Sequence, residues 1–461
     1  MRGHAASVLV AVVSSAFGVS LLAVTGVLSQ MISADPMASA SPTVRAVLTF
    51  IALVFLAIAL YVAALVTANT FATVVAGRSR TIALYRLIGS SARAQRRSVA
   101  REGLLVGIVG SLVGAAVGVL AAMALVAAGV AFLGLPDLGY RFVEPVTALP
   151  IVAVVATTWA ASWVGSRRVL RVSPMEATGA AQERGLDETT RRLGRNVAGL
   201  VLFLAGDAVL VFGMLVGLVS PAGVLIGVVG GILSFSGVVA AAGAIMPRAL
   251  RVVGRLFGRG ATARLAAENA VRYPERSTRT TIGLVIGVTL VTTFSVTIES
   301  FRALVHAANA AQPRTYEGVD PTLDTISVVF EVLIGFSALL AAIGMVNNLS
   351  LTVLQRTREL GLLRALGFSV AQVRRMVVAE SAQLTIASVV LGLLLGTFYG
   401  WVGAQSLLGS ISGSPGIVAP AVPLVAVGVI VALGAVLSLA ASVAPARRAT
   451  RVAPVRALAV D

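Results

Sequence analysis

Arg356-Thr357-Arg358-Glu359-Leu360-Gly361-Leu362-Leu363-Arg364-Ala365-Leu366-Gly367 has a counterpart much earlier in the same chain, at 78–89. Arg78–Glu102 pairs with Arg356–Glu380 without a gap, and ten of the 25 positions are identical. The shared residues include Arg78/Arg356, Leu84/Leu362, Arg86/Arg364, Gly89/Gly367, Ser91/Ser369, Arg96/Arg374, Arg97/Arg375 and Glu102/Glu380. Upstream, Asn69/Asn347 keeps the same offset. A second block, Gly165–Ala177, pairs with Pro445–Ala457 at nearly that offset. Two blocks at nearly one offset mark an internal duplication.

The repeated stretch carries its own structural signals. Apolar residues at 360, 362, 363 and 366 fit an amphipathic helical turn at a membrane surface. Gly367 suits the left-handed position that ends a helix. Ser369 followed by Gln372 predicts a capping box and a new helix. The first copy follows the same plan through Ile82, Leu84, Tyr85, Leu87, Ile88, Gly89 and Ser91. It departs in having Thr81 opposite Glu359, and it lacks the capping glutamine.

Outside these loops the chain is dominated by long runs free of charge. Of its 461 residues, 57% are hydrophobic and 12% charged, with mean hydropathy +0.96. A soluble domain carries about 25% charged residues, so this composition excludes both a soluble globule and a disordered chain. A spanning helix needs about 20 apolar residues. Runs that meet this are Ala5–Ala34, Ala46–Gly77, Gly103–Pro136, Pro145–Ser166, Ala208–Pro247 (extended to Asn196 with Asp207 as its one break), Thr280–Ile298, Val332–Gln355 and Ser381–Ala446. Ser220-Pro221 divides the fifth into a hairpin, and Gly409–Pro415 divides the last, which predicts ten spans. No segment alternates with a period of two, so a barrel is excluded. The apolar core of the first run, 8–28, exceeds the h-region of a signal peptide and is expected to remain as a helix.

Charge orients the spans. The net charge is +17, and every one of the 36 basic residues is Arg. With the N-terminus inside, 32 of the 36 fall on inner segments, where the balance is +22 against −4 outside. This is the positive-inside pattern, and it accounts for the basic excess without nucleic acid. The expected fold is therefore an all-α integral membrane protein of ten helices with both termini cytoplasmic. Residues 1–177 form one four-helix repeat, 178–260 a linker and connecting hairpin, and 261–461 the second repeat with a preceding amphipathic helix. Both copies start inside, so the repeat is parallel, with a pseudo-two-fold axis along the membrane normal.

At this point the residues support a family resemblance. Arg356–Gly367 with Arg374, Arg375 and Glu380 resembles the inner loop of the FtsX-like permeases of ABC transporters, and Pro445–Leu458 resembles that family's closing segment. Arg264–Arg272 is similar to the amphipathic helix before the family's first span. The match is stronger over helices 7–10 than over 1–4, and helices 5–6 fall outside it. The doubled arrangement is similar to ten-helix permeases that handle antimicrobial peptides.

The resemblance implies a permease subunit that couples ATP hydrolysis on a separate subunit to export or extraction of an amphiphilic substrate, such as a peptide, a lipid-like molecule or a drug. It implies that Thr81–Gly89 and Glu359–Gly367 are coupling helices. The residues carried over are Thr81, Leu84, Arg86 and Gly89, and Glu359, Leu362, Arg364 and Gly367. The arginines would pair with acidic groups on the ATPase, and the leucines would fill an apolar groove. The implied partners are two ABC ATPase copies, with ATP and Mg bound there, together with membrane lipids and the substrate, in a bacterial cell membrane. Many members carry a large extracytoplasmic domain between the first two spans of a repeat. Here those segments, 29–45 and 299–331, are short, so such a domain is not expected.

The chain holds no lysine, so it has no P-loop lysine, and it is not expected to be an enzyme. There is no cysteine and only two histidines, His4 and His306, which offers neither a metal cluster nor a thiol nucleophile. No catalytic, cofactor or metal residue is expected in this chain. Polar residues within or beside spans are Asn69, Asp207, Glu331 and Asn347. Asp207 reads either as a proton or cation site or as an Arg-paired residue near the inner surface. Glu331 falls at the outer boundary, and the asparagines suit interhelical hydrogen bonds. Trp163 and Trp401 read as interfacial anchors. Two other functions fit part of the pattern. One is a mechanotransmitting scaffold that regulates an envelope process. The other is an ion-coupled transporter, for which the repeats carry no matched acids, since Glu331 lies opposite Leu53.

Overall fold

The computed structural model describes residues 5–34, 50, 53–54, 56–58, 60–62, 64–69, 89–133, 138–165, 193–257, 261–272, 274–312, 327, 334–335, 338, 342, 357–411 and 413–451. Among them all regular structure is helical. The first repeat contributes α1 (Ala5–Ala34), α2 (Leu56–Asn69), α3 (Ala92–Leu133) and α4 (Ala148–Gly165). The hairpin is α5 (Leu193–Gly217) and α6 (Gly223–Gly254). The second repeat contributes α7 (Ala261–Arg272), α8 (Pro274–Ala311), α9 (Thr357–Ala365), α10 (Val370–Leu408) and α11 (Leu424–Arg451). Among the described residues seven helices are long and apolar enough to cross a membrane, and α2 and the apolar part of α11 are shorter. The expected eighth span, 332–355, lies almost wholly outside the described residues.

The two repeats pack alike. α1 lies against α3, α3 against α4 and α1 against α4, and in the second copy α8 lies against α10, α10 against α11 and α8 against α11. The closest pairing in each is set by glycine at every fourth position. Gly110, Gly114 and Gly118 of α3 face the α1 backbone around Ala11, Val12 and Ala16. Gly392, Gly396 and Gly400 of α10 face α8 around Val288, Thr292 and Val296. A methyl group on Gly110 would stand 2.5 Å from Ala11 Cβ, and one on Gly396 would stand 2.5 Å from Thr292 Cβ. Lipid tails are as apolar as leucine, so helices in a bilayer associate through backbone proximity and packing rather than hydrophobic transfer. Glycine stripes at a spacing of four supply that proximity.

The first helix of each repeat is the most enclosed. In α1 and in α8, 78% of the most apolar window is buried, against 28–56% in the other five long helices. The two meet through Phe17 and Leu21 of α1 and Phe294 and Ile298 of α8, which share one apolar cluster with Val62 of α2. Phe17 and Phe294 stand at nearly equivalent places in the two copies, and both are fully enclosed. The pseudo-symmetry that duplicates the loops therefore reaches the centre of the molecule.

Several helices exceed the apolar runs. α3 begins at Ala92, before the charge-free segment at Gly103, and carries Arg93, Arg96, Arg97 and Arg101 on its first turns. α8 continues past Ile298 to Ala311. There Phe301, Leu304 and Val305 join Leu408 in a small core outside the expected span. That core is tied down by Trp401 Nε1, which donates to the Val418 carbonyl at 2.6 Å, and by Gln405 Nε2, which donates to the Gly416 carbonyl at 2.6 Å. The short connection after α10 is thus held by side chains from within the bundle, and Trp401 is one of its fastenings.

Candidate ATPase-docking surface and the intramembrane polar tie

α9 ends in a Schellman motif. The Phe368 N–H donates to the Leu363 carbonyl at 3.1 Å and the Gly367 N–H to the Arg364 carbonyl at 3.1 Å. The motif needs a left-handed residue after the helix, and Gly367 supplies φ +99°. Ser369 then opens α10 with a complete capping box. Its Oγ accepts the Gln372 N–H at 3.2 Å, and its own N–H donates to Gln372 Oε1 at 2.8 Å. Gly89 in the first copy has the same φ of +99°. Ser91 Oγ accepts the Ala94 N–H at 3.2 Å, while Gln95 Nε2 turns back to Ser90 Oγ at 2.8 Å. The first copy keeps the glycine break and the serine cap and lacks the reciprocal half of the box.

The apolar residues of α9 divide between two faces. Leu363 and Phe368 pack on a small core built by Ala266 of α7 and Val373, Met376 and Val377 of α10. Leu362 is 47% exposed and Leu366 71% exposed. Glu359 is exposed and Arg364 half-buried, and both hold interactions with neighbours. The outer face of α9 is therefore an apolar surface bordered by charge, held rigidly by its inner face. Of the corresponding residues of the first copy, Gly89 is described, whereas Thr81, Leu84 and Arg86 lie outside the described residues.

The matched arginines that follow the break also share a setting. In both Arg96 and Arg374 the Nε is buried without a hydrogen-bond partner. The Arg96 guanidinium stacks 3.6 Å from the centre of the Trp163 ring, a cation–π contact. Trp163 thus anchors the start of α3 onto α4.

Deeper in the bundle, Asp207 sits on α5. Ser234 Oγ of α6 donates to Asp207 Oδ1 at 2.6 Å, and the same oxygen is 2.7 Å from the Tyr399 hydroxyl of α10. This tie joins both helices of the hairpin to the second repeat. The hydroxyl partner of the Asp207 carboxylate thus comes from the opposite arm of the hairpin. Sequence reasoning singled out Asp207 and missed Ser234 and Tyr399. The signal for Ser234 is the register of the hairpin, which places Gly206 against Ser234 and Gly230 against Leu210.

Tyr399 also borders a cavity of about 190 Å³ between α2, α5, α6, α8 and α10. Its walls are mostly apolar, including Ile58, Val228, Phe235 and Leu290, with Tyr61 and Thr289 among the polar exceptions. The Tyr61 hydroxyl lies 2.9 Å from Ser236 Oγ. Asn69 is half-buried near the end of α2, while Glu331 and Asn347 lie outside the described residues. Among the described residues no group of three or more His, Asp and Glu side chains is placed to hold a metal.

A duplicated helical bundle with a break–cap element at the foot of a long helix in each half defines a multi-pass membrane protein built from two related permease-like units. A family model described as FtsX-like permease C-terminal matches residues 53–174 and 331–454. The two matched blocks stand apart along the chain by the same offsets as the internal repeat. Together they cover more than half of the chain, and the chain belongs to the FtsX-like permease family. It is similar to the ABC transporter permease YtrF of Bacillus subtilis (strain 168), 33% identical over 76 residues, which is 16% of this chain and 17% of the relative. It is also similar to the macrolide export ATP-binding/permease protein MacB of Rhodopirellula baltica, 29% identical over 29% of this chain and 18% of the relative. A third relative is the pyoverdine export ATP-binding/permease protein PvdT of Pseudomonas savastanoi pv. phaseolicola, 32% identical over 30% of this chain and 19% of the relative. The matches thus span under a fifth of these relatives' length.

Proposed function

We propose that the chain is the permease subunit of an ABC transporter in a bacterial cell membrane, with ten spans and both termini inside. It would couple ATP hydrolysis on two copies of a separate ATPase subunit to export or extraction of an amphiphilic substrate. The observation that carries this reading is the shared break at Gly89 and Gly367, each at φ +99° and each followed by a serine cap at the foot of a long helix. One docking element in each half calls for one ATPase on each half. ATP and Mg would be held by those subunits.

On α9, Leu362 and Leu366 would enter an apolar groove of the ATPase, and Arg364 and Glu359 would border it. In the first copy Leu84 and Arg86 would do the same, with Thr81 in place of the acid. The α9–α10 join is the route for motion, because the inner face of α9 is fixed to α10 through Leu363 and Phe368. The names of the export relatives and the apolar cavity beside Tyr61 and Tyr399 both support an amphiphile as cargo. The test is stimulation of the co-expressed ATPase by the permease in nanodiscs. Arg364→Glu is expected to lower stimulation at least tenfold while the permease remains folded, and unchanged stimulation would remove α9 from the docking role.

A further inference from the structure

Among the described residues, the two repeats also differ in what covers the foot of their third long helix, and in the first repeat a groove lies there. In the second repeat, the first turns of α10 are covered by α7. Met376 is fully buried there, with Asn269 Nδ2 4.0 Å from its sulfur, and Ala379 packs on the same core as Ala266. The matching positions in the first repeat are Ser98 and Arg101, and both are exposed. At that site lies a groove of about 1140 Å³ between the start of α1 and the first turns of α3. It is lined by apolar Val8, Leu9, Val12 and Leu105 and by polar Arg97, Ser98, Arg101 and Glu102. Leu9 is 47% exposed and Leu105 64% exposed.

The substitutions between the copies indicate the occupant. Val373, Met376 and Ala379 offer α7 an apolar face, which suits a helix. Their counterparts are Gln95, Ser98 and Arg101, of which Ser98 and Arg101 line the groove and offer a hydroxyl donor and a guanidinium, which suit an anion. The groove also straddles the change from charged to apolar residues at Glu102–Gly103 on α3, where the apolar run of that helix begins. A groove that is cationic at the boundary and apolar below it matches a molecule with a phosphate at one end and hydrocarbon at the other. Basic pockets between membrane helices on the inner side favour anionic headgroups.

We propose that this groove binds one anionic phospholipid of the surrounding bilayer. Its phosphate rests on Arg97 and Arg101, and an acyl chain lies along Leu9, Val12 and Leu105. The lipid occupies in the first repeat the place that α7 occupies in the second.

The test uses the full-length chain in detergent with phosphatidylglycerol or phosphatidylcholine, with bound lipid counted by native mass spectrometry. The wild type is expected to retain one phosphatidylglycerol in preference to phosphatidylcholine. Arg97→Gln or Arg101→Gln should weaken retention about fivefold each and the pair about 25-fold. Arg375→Gln, the matched change in the covered copy, should leave retention unchanged. Equal retention of the two lipids, or full retention by the double variant, would overturn the proposal. A second measurement does not depend on those variants folding. Leu105→Cys introduces the only thiol in the chain, and a fluorophore attached there in vesicles should be quenched more by brominated phosphatidylglycerol than by brominated phosphatidylcholine. Cross-linking of that thiol to another polypeptide segment, or equal quenching, would contradict a lipid occupant.

Discussion

Gly89 and Gly367, equivalent positions of the two repeats, adopt the same left-handed backbone conformation at φ +99°. No neighbouring atom lies within 4 Å of where a Cβ would stand on either residue. Alanine at either position therefore costs only backbone strain, about 1–2 kcal/mol. Gly367→Ala should loosen the α9–α10 join, seen as faster hydrogen exchange over 363–369, and Gly367→Asn should recover part of the loss. Unchanged exchange in Gly367→Ala would show that the break is not held by this residue.

The serine cap makes a separate prediction. Removing an N-cap hydroxyl costs about 1 kcal/mol. Ser369→Ala should fray the first turn of α10, whereas Ser369→Asp should keep it, because a carboxylate also accepts the Gln372 N–H. Amide exchange at 370–373 separates the two outcomes.

The glycine stripes are packing devices, so they should tolerate no added volume. Gly396→Val and Gly110→Val should each lower the melting temperature in detergent by several degrees, since Thr292 Cβ and Ala11 Cβ already occupy the space. Gly428→Ala and Gly194→Ala meet nothing within 4 Å and should be neutral. Equal effects at both pairs of sites would mean that α1–α3 and α8–α10 are not packed as described.

The tie between Asp207, Ser234 and Tyr399 is predicted to be structural. Asp207→Asn keeps an oxygen that accepts from Ser234, so transport should persist. Ser234→Ala withdraws the partner of both Asp207 and Tyr399 and should destabilise the protein by about 1–3 kcal/mol. Loss of transport with retained stability in Asp207→Asn would instead establish the carboxylate as an ion site.

Much of this architecture is legible in the residues, for reasons specific to membranes. The apolar run Ala5–Ala34 and α1 coincide, because a spanning helix is written in composition alone. Ser220-Pro221 and Gly409–Pro415 mark the turns between α5 and α6 and after α10, where proline and glycine interrupt helices. The polar extensions are less legible. α3 starts at Ala92, well ahead of its apolar run at Gly103, and α8 runs on from Ile298 to Ala311. A helix that leaves the bilayer loses its hydropathy signal while keeping its hydrogen bonds. α9 is legible as a helix, break and cap, yet the apolar set at 362, 363 and 366 does not reveal that Leu363 turns inward while Leu362 and Leu366 turn out. That division depends on α7, which is distant in sequence. Partners across helices, such as Ser234 for Asp207, follow from packing register, which a single sequence does not encode locally.

The outward leucines predict a separation of stability from coupling. Leu362→Ala and Leu366→Ala should leave the melting temperature unchanged and weaken ATPase binding, whereas Leu363→Ala should lower stability first. A pull-down of the co-expressed ATPase beside a thermal melt distinguishes them.

The proposed stoichiometry follows from one chain carrying two docking elements for two ATPase subunits. It is tested most directly by the mass of the intact complex, purified with the co-expressed ATPase and held with ATP in the absence of turnover. Two ATPase copies for each permease chain are expected. A complex that saturates at one copy would contradict it.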